Sequence, residues 1–186
     1  MSKKIFVGIL AVLMMTSFLE AREIAGVNIP ESLQADQTAL TLNGAGVRSK
    51  LFIKLYVGGL YLEQKSSDPA AIIESDEPMA IRLHIISSMI TDEKMEKATR
   101  EGFLNATNGQ VESLKNEIEK FISVFKEIKK NDVYDLIYIP GEGTQVYKNS
   151  NYYSLIEGLA FKQALFGIWL CDKPAQRSLK DDMLGQ

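Results

Sequence analysis

The chain has 186 residues, a formal net charge of −3, and 46% hydrophobic against 24% charged side chains. That is the length and balance of one globular domain with a sizeable core. Its charges form no basic patch interleaved with aromatics, so no nucleic-acid partner is expected, and a single cysteine with a single histidine excludes an intramolecular disulfide and a thiolate metal cluster.

Residues 1–21 read as a secretory signal peptide. Lys3 and Lys4 precede the apolar run IFVGILAVLMM, Thr16 and Ser17 follow, and Ala21 suits the last position before cleavage. The stretch from Ile5 to Leu19 is shorter than the ~20 residues a spanning helix needs, and Glu20 interrupts it. No cysteine follows it to carry a lipid anchor. The expectation is a periplasmic or secreted domain over residues 22–186, with no stable membrane span after cleavage. The remaining chain holds 19 basic and 23 acidic side chains, a charge of −4.

Along the mature chain, residues 23–30 and 38–42 read as short strands, followed by a break at Gly44–Gly46 and a long strand from Leu51 to Leu62. That last strand is apolar on both faces and so is expected to be buried on both, which leaves the polar groups Arg48 and Tyr56 in need of a purpose. Asp68-Pro69 starts a short helix through Glu74, and MAIRLHIIS at 79–87 is a strand. Its wholly apolar set, Met79, Ile81, Leu83 and Ile85, should face the main core, with Arg82 and His84 opposite. Thr91 caps a helix ending at Asn108-Gly109. A second helix over about 111–128 carries the stripe Leu114, Ile118, Phe121, Ile122 and Phe125.

Strands return at 133–140, 144–148 and 152–157, joined by turns at Gly141-Glu142-Gly143 and Asn149-Ser150-Asn151. An apolar helix spans about 159–170. Asp172-Lys173-Pro174 then opens a terminal helix through Leu184, with Pro174 in its first turn. Cys171, near Trp169, reads as a partly buried thiol at a helix end. The sum is one α+β domain, a largely antiparallel sheet with helices on one side.

No GxGxxG, P-loop, GxSxG or HExxH pattern is present. The carboxylates are scattered over helix faces, and His84 is isolated, so no catalytic residue, metal ligand or cofactor is assigned.

The segments NGAGVRSKLFIKLYVGGLYL at 43–62 and FKQALFGIWLCDKPAQRSLKDDMLG at 161–185 resemble the chalcone isomerase-like family in its bacterial secreted branch. The resemblance implies an open-faced β-sandwich, a large antiparallel sheet covered by helices. It also implies one of two activities: closure of a chalcone to a flavanone, or non-catalytic binding of a fatty acid between sheet and helices. Arg48 matches the arginine that steers the phenolate in the enzymes and pairs with the carboxylate in the binders, tasks that suit a guanidinium. Tyr56 stands where the enzymes have a threonine and resembles the binding members. The enzymes' catalytic tyrosine would fall near Thr91–Lys94, where there is none.

The connection from Arg48 to Tyr56 is shorter than in those relatives. With a tight hairpin at Ser49-Lys50, the two backbones would lie roughly 17 Å apart at ~3.3 Å per residue. Three functions follow. The first is a non-enzymatic binder of a hydrophobic carboxylate such as a fatty acid, held by Arg48 and Tyr56 and lined by the sheet and the helices at 91–128. The second is an intramolecular lyase of chalcone isomerase type. The third is a structural or partner-binding protein with a filled cleft.

Overall fold

The computed structural model describes residues 21–186, so the expected signal peptide, apart from Ala21, lies outside the described residues. The strands are β1 (Ala21–Ile24), β2 (Val27–Pro30), β3 (Ser32–Ala35), β4 (Thr38–Lys50), β5 (Ile53–Leu62), β6 (Met79–Ile85), β7 (Val133–Ile139), β8 (Gly143–Lys148) and β9 (Asn151–Ile156). The helices are α1 (Pro69–Glu74), α2 (Asp92–Ala106), α3 (Lys115–Ile122), α4 (Leu159–Leu170) and α5 (Arg177–Met183). Strands β3 to β9 form one seven-stranded antiparallel sheet in sequence order, and β1 and β2 form a separate hairpin. The sheet curls, bringing β3 near β6 and β7. The expected α+β architecture is the one observed.

The alternation of β6 divides the core as its sequence requires. Met79, Ile81, Leu83 and Ile85 join the large cluster under the helices, because successive side chains of a strand point to opposite faces. Ala80, on the other face, packs with Ile29, Leu40, Leu42, Val57 and Tyr61 beneath the β1–β2 hairpin. Arg82 also lies on that face, in a bidentate pair with Asp135 at 2.6 and 2.8 Å. His84 is half-buried beside it, and burial followed by the Arg82 charge lowers its pKa.

Several sequence expectations are corrected. Residues 23–30 are two strands around a turn at Ala25-Gly26, both with positive φ. The expected break at Gly44–Gly46 does not exist, since β4 runs unbroken from Thr38 to Lys50. Its glycines provide clearance, because a Cβ on Gly44 or Gly46 would overlap α5 at Asp182 and Met183. The irregularity falls instead at Asn43, a bulge whose buried amide donates to Ser66 O and Met183 O at 2.9 and 2.8 Å.

The helix expected over 111–128 is split into a 3₁₀ turn (Glu112–Leu114), α3, and a second 3₁₀ turn (Ser123–Phe125). It ends early because the Asp92 carboxylate accepts the backbone N–H groups of Glu127 and Ile128 at 2.8 and 3.0 Å. The last helix begins at Arg177, not at Pro174. Ala175 N donates back to Ile168 O, and Gln176 stays extended. Cys171 is the partly buried cap at the end of α4.

One core residue was not foreseen. Lys162 of α4 is fully buried, and its ammonium donates to Ile72 O, Ile73 O and Ser75 O at the end of α1. It thus satisfies carbonyls that a helix C-terminus leaves without partners. The rings of Tyr138 and Phe166 lie 5.5 and 5.6 Å from the nitrogen. Burial pulls its pKa down to about 8.

Lys162→Met is expected to destabilise the fold by about 2–3 kcal/mol through the stranded carbonyls, measured by urea unfolding. Between pH 8 and 10 the unfolded chain keeps a proton that folded Lys162 has released, so this residue makes stability rise with pH across that window. The difference in melting temperature between wild type and Lys162→Met should therefore widen from pH 8 to pH 10. A constant difference would contradict the assignment.

Candidate functional site

The β4–β5 hairpin turns at Leu51-Phe52, with φ of +49° and +69°, and Lys50 faces Ile53 across it. Two consecutive residues with positive φ make a two-residue turn of the kind that matches strand twist. The next pair is Ser49 with Lys54, but Arg48 then pairs with Tyr56, leaving Leu55 as a bulge. Directly opposed residues in an antiparallel pair have Cα atoms about 4.5–5.5 Å apart and share one face. The expected separation of Arg48 and Tyr56 is therefore overturned. The turn lies two residues later than Ser49-Lys50 suggested, and the bulge brings the two side chains to the same side of the sheet.

That side faces a cavity of about 510 Å³ between sheet and helices. Arg48, Leu55, Tyr56 and Leu83 come from the sheet. Met95, Ala98, Thr99 and Gly102 come from α2, Phe121 and Phe125 from α3 and the turn after it, and Ile168 and Trp169 from α4. The helices at 91–128 thus line the space as expected. Close packing of α2 on α4 defines one wall, since a Cβ on Gly102 would press into Ile168.

Hydrogen bonding fixes both polar groups. Trp169 Nε1 donates to the Tyr56 hydroxyl at 3.0 Å. That bond uses an acceptor position of the phenol and leaves its own proton available for donation. Tyr56 is 7% exposed, and burial raises its pKa against the opposing effects of the Trp169 hydrogen bond and the Arg48 charge. It is held as a neutral donor. Arg48 Nη1 donates to Gln176 Oε1 at 3.0 Å and to its neighbour's carbonyl, Ser49 O, at 3.3 Å. The same Gln176 oxygen accepts from Ser49 N at 2.8 Å, and its amide nitrogen donates to Val47 O and Ser178 Oγ. Gln176 therefore holds the arginine without neutralising it. No carboxylate among the described residues lies within ion-pair distance of Arg48.

At Thr91–Lys94, where the resemblance would place a catalytic tyrosine, Thr91 accepts from Lys94 N at 3.3 Å and caps α2. Asp92 there is committed to the backbone of 127–128, and those two bonds hold its carboxyl below the usual range. Among the described residues no group of three or more His, Cys, Asp and Glu is arranged to hold a metal ion. Sequence reasoning missed Trp169 and Gln176. In the sequence Trp169 reads as one more apolar residue of the helix at 159–170, beside Cys171, and Gln176 reads as an ordinary residue inside a helix beginning at Pro174.

The family description "Chalcone isomerase-like" matches residues 21–185. The chain belongs to the chalcone isomerase-like family. No curated protein sequence matches it. Among solved structures it is similar to the crystal structure of an Arabidopsis thaliana fatty-acid binding protein, with a TM-score of 0.70 and 18% identity over 89% of this chain and 96% of that one. At that identity the likeness establishes the chalcone isomerase-like fold.

The Tyr56–Trp169 bond joins sheet and helix at the cavity and should be measurable as a coupling. Tyr56→Phe and Trp169→Phe are each expected to lower stability by about 1 kcal/mol, with the double variant costing about the same as either single one. Fully additive losses in urea unfolding would show that the contact contributes nothing.

Proposed function

We propose that this protein binds an amphipathic carboxylate of the fatty-acid class in the cavity between sheet and helices, without transforming it. Arg48 grips the carboxylate, Tyr56 donates its phenolic proton to the same group, and the acyl chain lies among Leu83, Met95, Phe121, Phe125 and Ile168. The observation that carries the reading is Arg48 itself. It is a half-buried cation at an apolar cavity, directly opposite a hydroxyl with a proton to give, and with no carboxylate partner among the described residues. A buried charge is tolerated when paired and hydrogen-bonded, and an incoming carboxylate supplies the missing half. The volume of about 510 Å³ falls in the range of small-molecule sites and speaks against a filled cleft.

The fatty-acid binding protein that shares the fold adds support for this ligand class. Cyclisation has less support, because Tyr56 replaces the enzymes' threonine and Thr91–Lys94 offers no phenol. The basic and apolar start of the chain favours action in the periplasm or outside the cell, after removal of residues 1–21.

Acyl carboxylates should be recovered by mass spectrometry of lipids extracted from natively purified protein. By calorimetry, Arg48→Met is expected to weaken binding of a long-chain fatty acid by about ten- to a hundredfold, the range for a charge-assisted bond. Binding of the methyl ester should change little. The reading fails if no acyl ligand co-purifies and added fatty acid leaves the melting temperature unmoved, or if Arg48→Met weakens acid and ester equally.

A further inference from the structure

The tip of the β4–β5 hairpin has no role in the site as described, yet its composition is unusual for a surface turn. Leu51 is 82% exposed, Phe52 103% and Ile53 37%, an unbroken apolar run in water. Such runs are unfavourable at a surface unless they serve a function. The turn geometry does not ask for them, because paired positive φ values favour asparagine and glycine over leucine and phenylalanine.

Cations gather near this tip. The cavity wall that includes Leu51 and Ile53 also carries Arg48, Lys50, Lys94 and Lys97 against one carboxylate, Glu101. Lys54 stands exposed beside the turn. The whole chain is net negative, so this local excess of cations is not an average property of the surface. Met89, half-exposed, lies at the same opening, and its carbonyl accepts from Lys94 Nζ at 3.0 Å. Exposed apolar side chains beside a group of lysines are the pattern of a protein that rests on an anionic lipid interface, with aromatic and aliphatic groups at the acyl boundary and lysines among the headgroups. Among the described residues no helix is long and apolar enough to cross a membrane, consistent with contact at a surface.

We propose that Leu51 and Phe52, with Lys50, Lys54, Lys94 and Lys97 on the same side of the molecule, dock this protein on an anionic lipid surface with the cavity opening turned towards the bilayer. Docking there lets a carboxylate amphiphile pass between bilayer and cavity without crossing water. The inference rests on the ligand reading for its purpose, but its test does not depend on that reading.

The test is sedimentation of the full chain with vesicles of equal parts phosphatidylglycerol and phosphatidylcholine, beside vesicles of phosphatidylcholine alone. Binding is expected to the anionic vesicles, to weaken in high salt, and to fall about tenfold or more in the Leu51→Ser/Phe52→Ser variant. Both side chains project into solvent, so that variant should keep the wild-type melting temperature. In a Phe52→Trp variant the new indole should be quenched by brominated lipid. The proposal is overturned if anionic vesicles bind no protein, or if binding is unchanged in the double variant with the new indole unquenched, which would assign the contact to the chain's apolar beginning. It is equally overturned if light scattering finds a dimer that the double variant loses while vesicles bind neither protein, since the tip would then join two copies. Lipid extraction from the same preparation separates the two readings. Acyl ligand without vesicle binding removes docking alone, and vesicle binding with an empty cavity removes the ligand reading alone.

Discussion

Everything at the cavity depends on the register of one hairpin. In a regular two-residue hairpin closed at Lys50 and Ile53, Arg48 would face Leu55, and Tyr56 would point to the opposite side of the sheet. The extra residue at Leu55 shifts the pairing by one, and a shift of one exchanges the faces of a strand. Arg48 and Tyr56 therefore meet on the helix side because of a bulge. The short connection between them is compatible with a shared ligand only through this device. Strand positions beyond the bulge keep their alternation, so β5 still contributes Val57 and Tyr61 to the outer cluster and Leu60 and Leu62 to the inner one.

The helices complete the site by fixing groups rather than by neutralising them. Trp169 immobilises the Tyr56 hydroxyl while leaving its proton, and Gln176 orients the guanidinium while leaving its charge. Neutral hydrogen-bond partners do this where a carboxylate would have closed the site electrostatically. The sheet's other arginine is paired: Arg82 is closed off by Asp135 on the outer face. The contrast between the two arginines, one satisfied and one held open, separates structural charge from available charge within a single sheet.

The fold was legible because its signals are local and repeated. The alternation of β6 and β7, the glycine and asparagine turns, and the cap at Thr91 each reported their own element, and the two signature segments agreed with them. The site was legible only in part. Arg48 and Tyr56 stood out as polar groups beside an apolar strand, but their pairing depended on a Leu-Phe turn lacking the usual glycine or asparagine, and on a bulge with no marker at Leu55. The glycines of β4 misled for a related reason. Their absent side chains make room for α5, a requirement set by a helix more than a hundred residues away. Lys162, hidden in an apolar helix, and Gln176, between a proline and a helix start, take their meaning from long-range carbonyl and side-chain partners that periodicity does not report.

The reach of Gln176 also fixes when the site comes into being. Its bond to Arg48 spans 128 positions, so the arginine leaves the ribosome long before the residue that aims it. The sheet strands pair with their neighbours in sequence, but Arg48 stays unaimed until α5 has settled against β4. Long-range contacts of this kind are late and entropically demanding events in folding. A chain truncated just before residue 176 would lose the side chain that aims the guanidinium and, with it, the buried Leu179, Met183 and Leu184 that seat the last helix on the sheet.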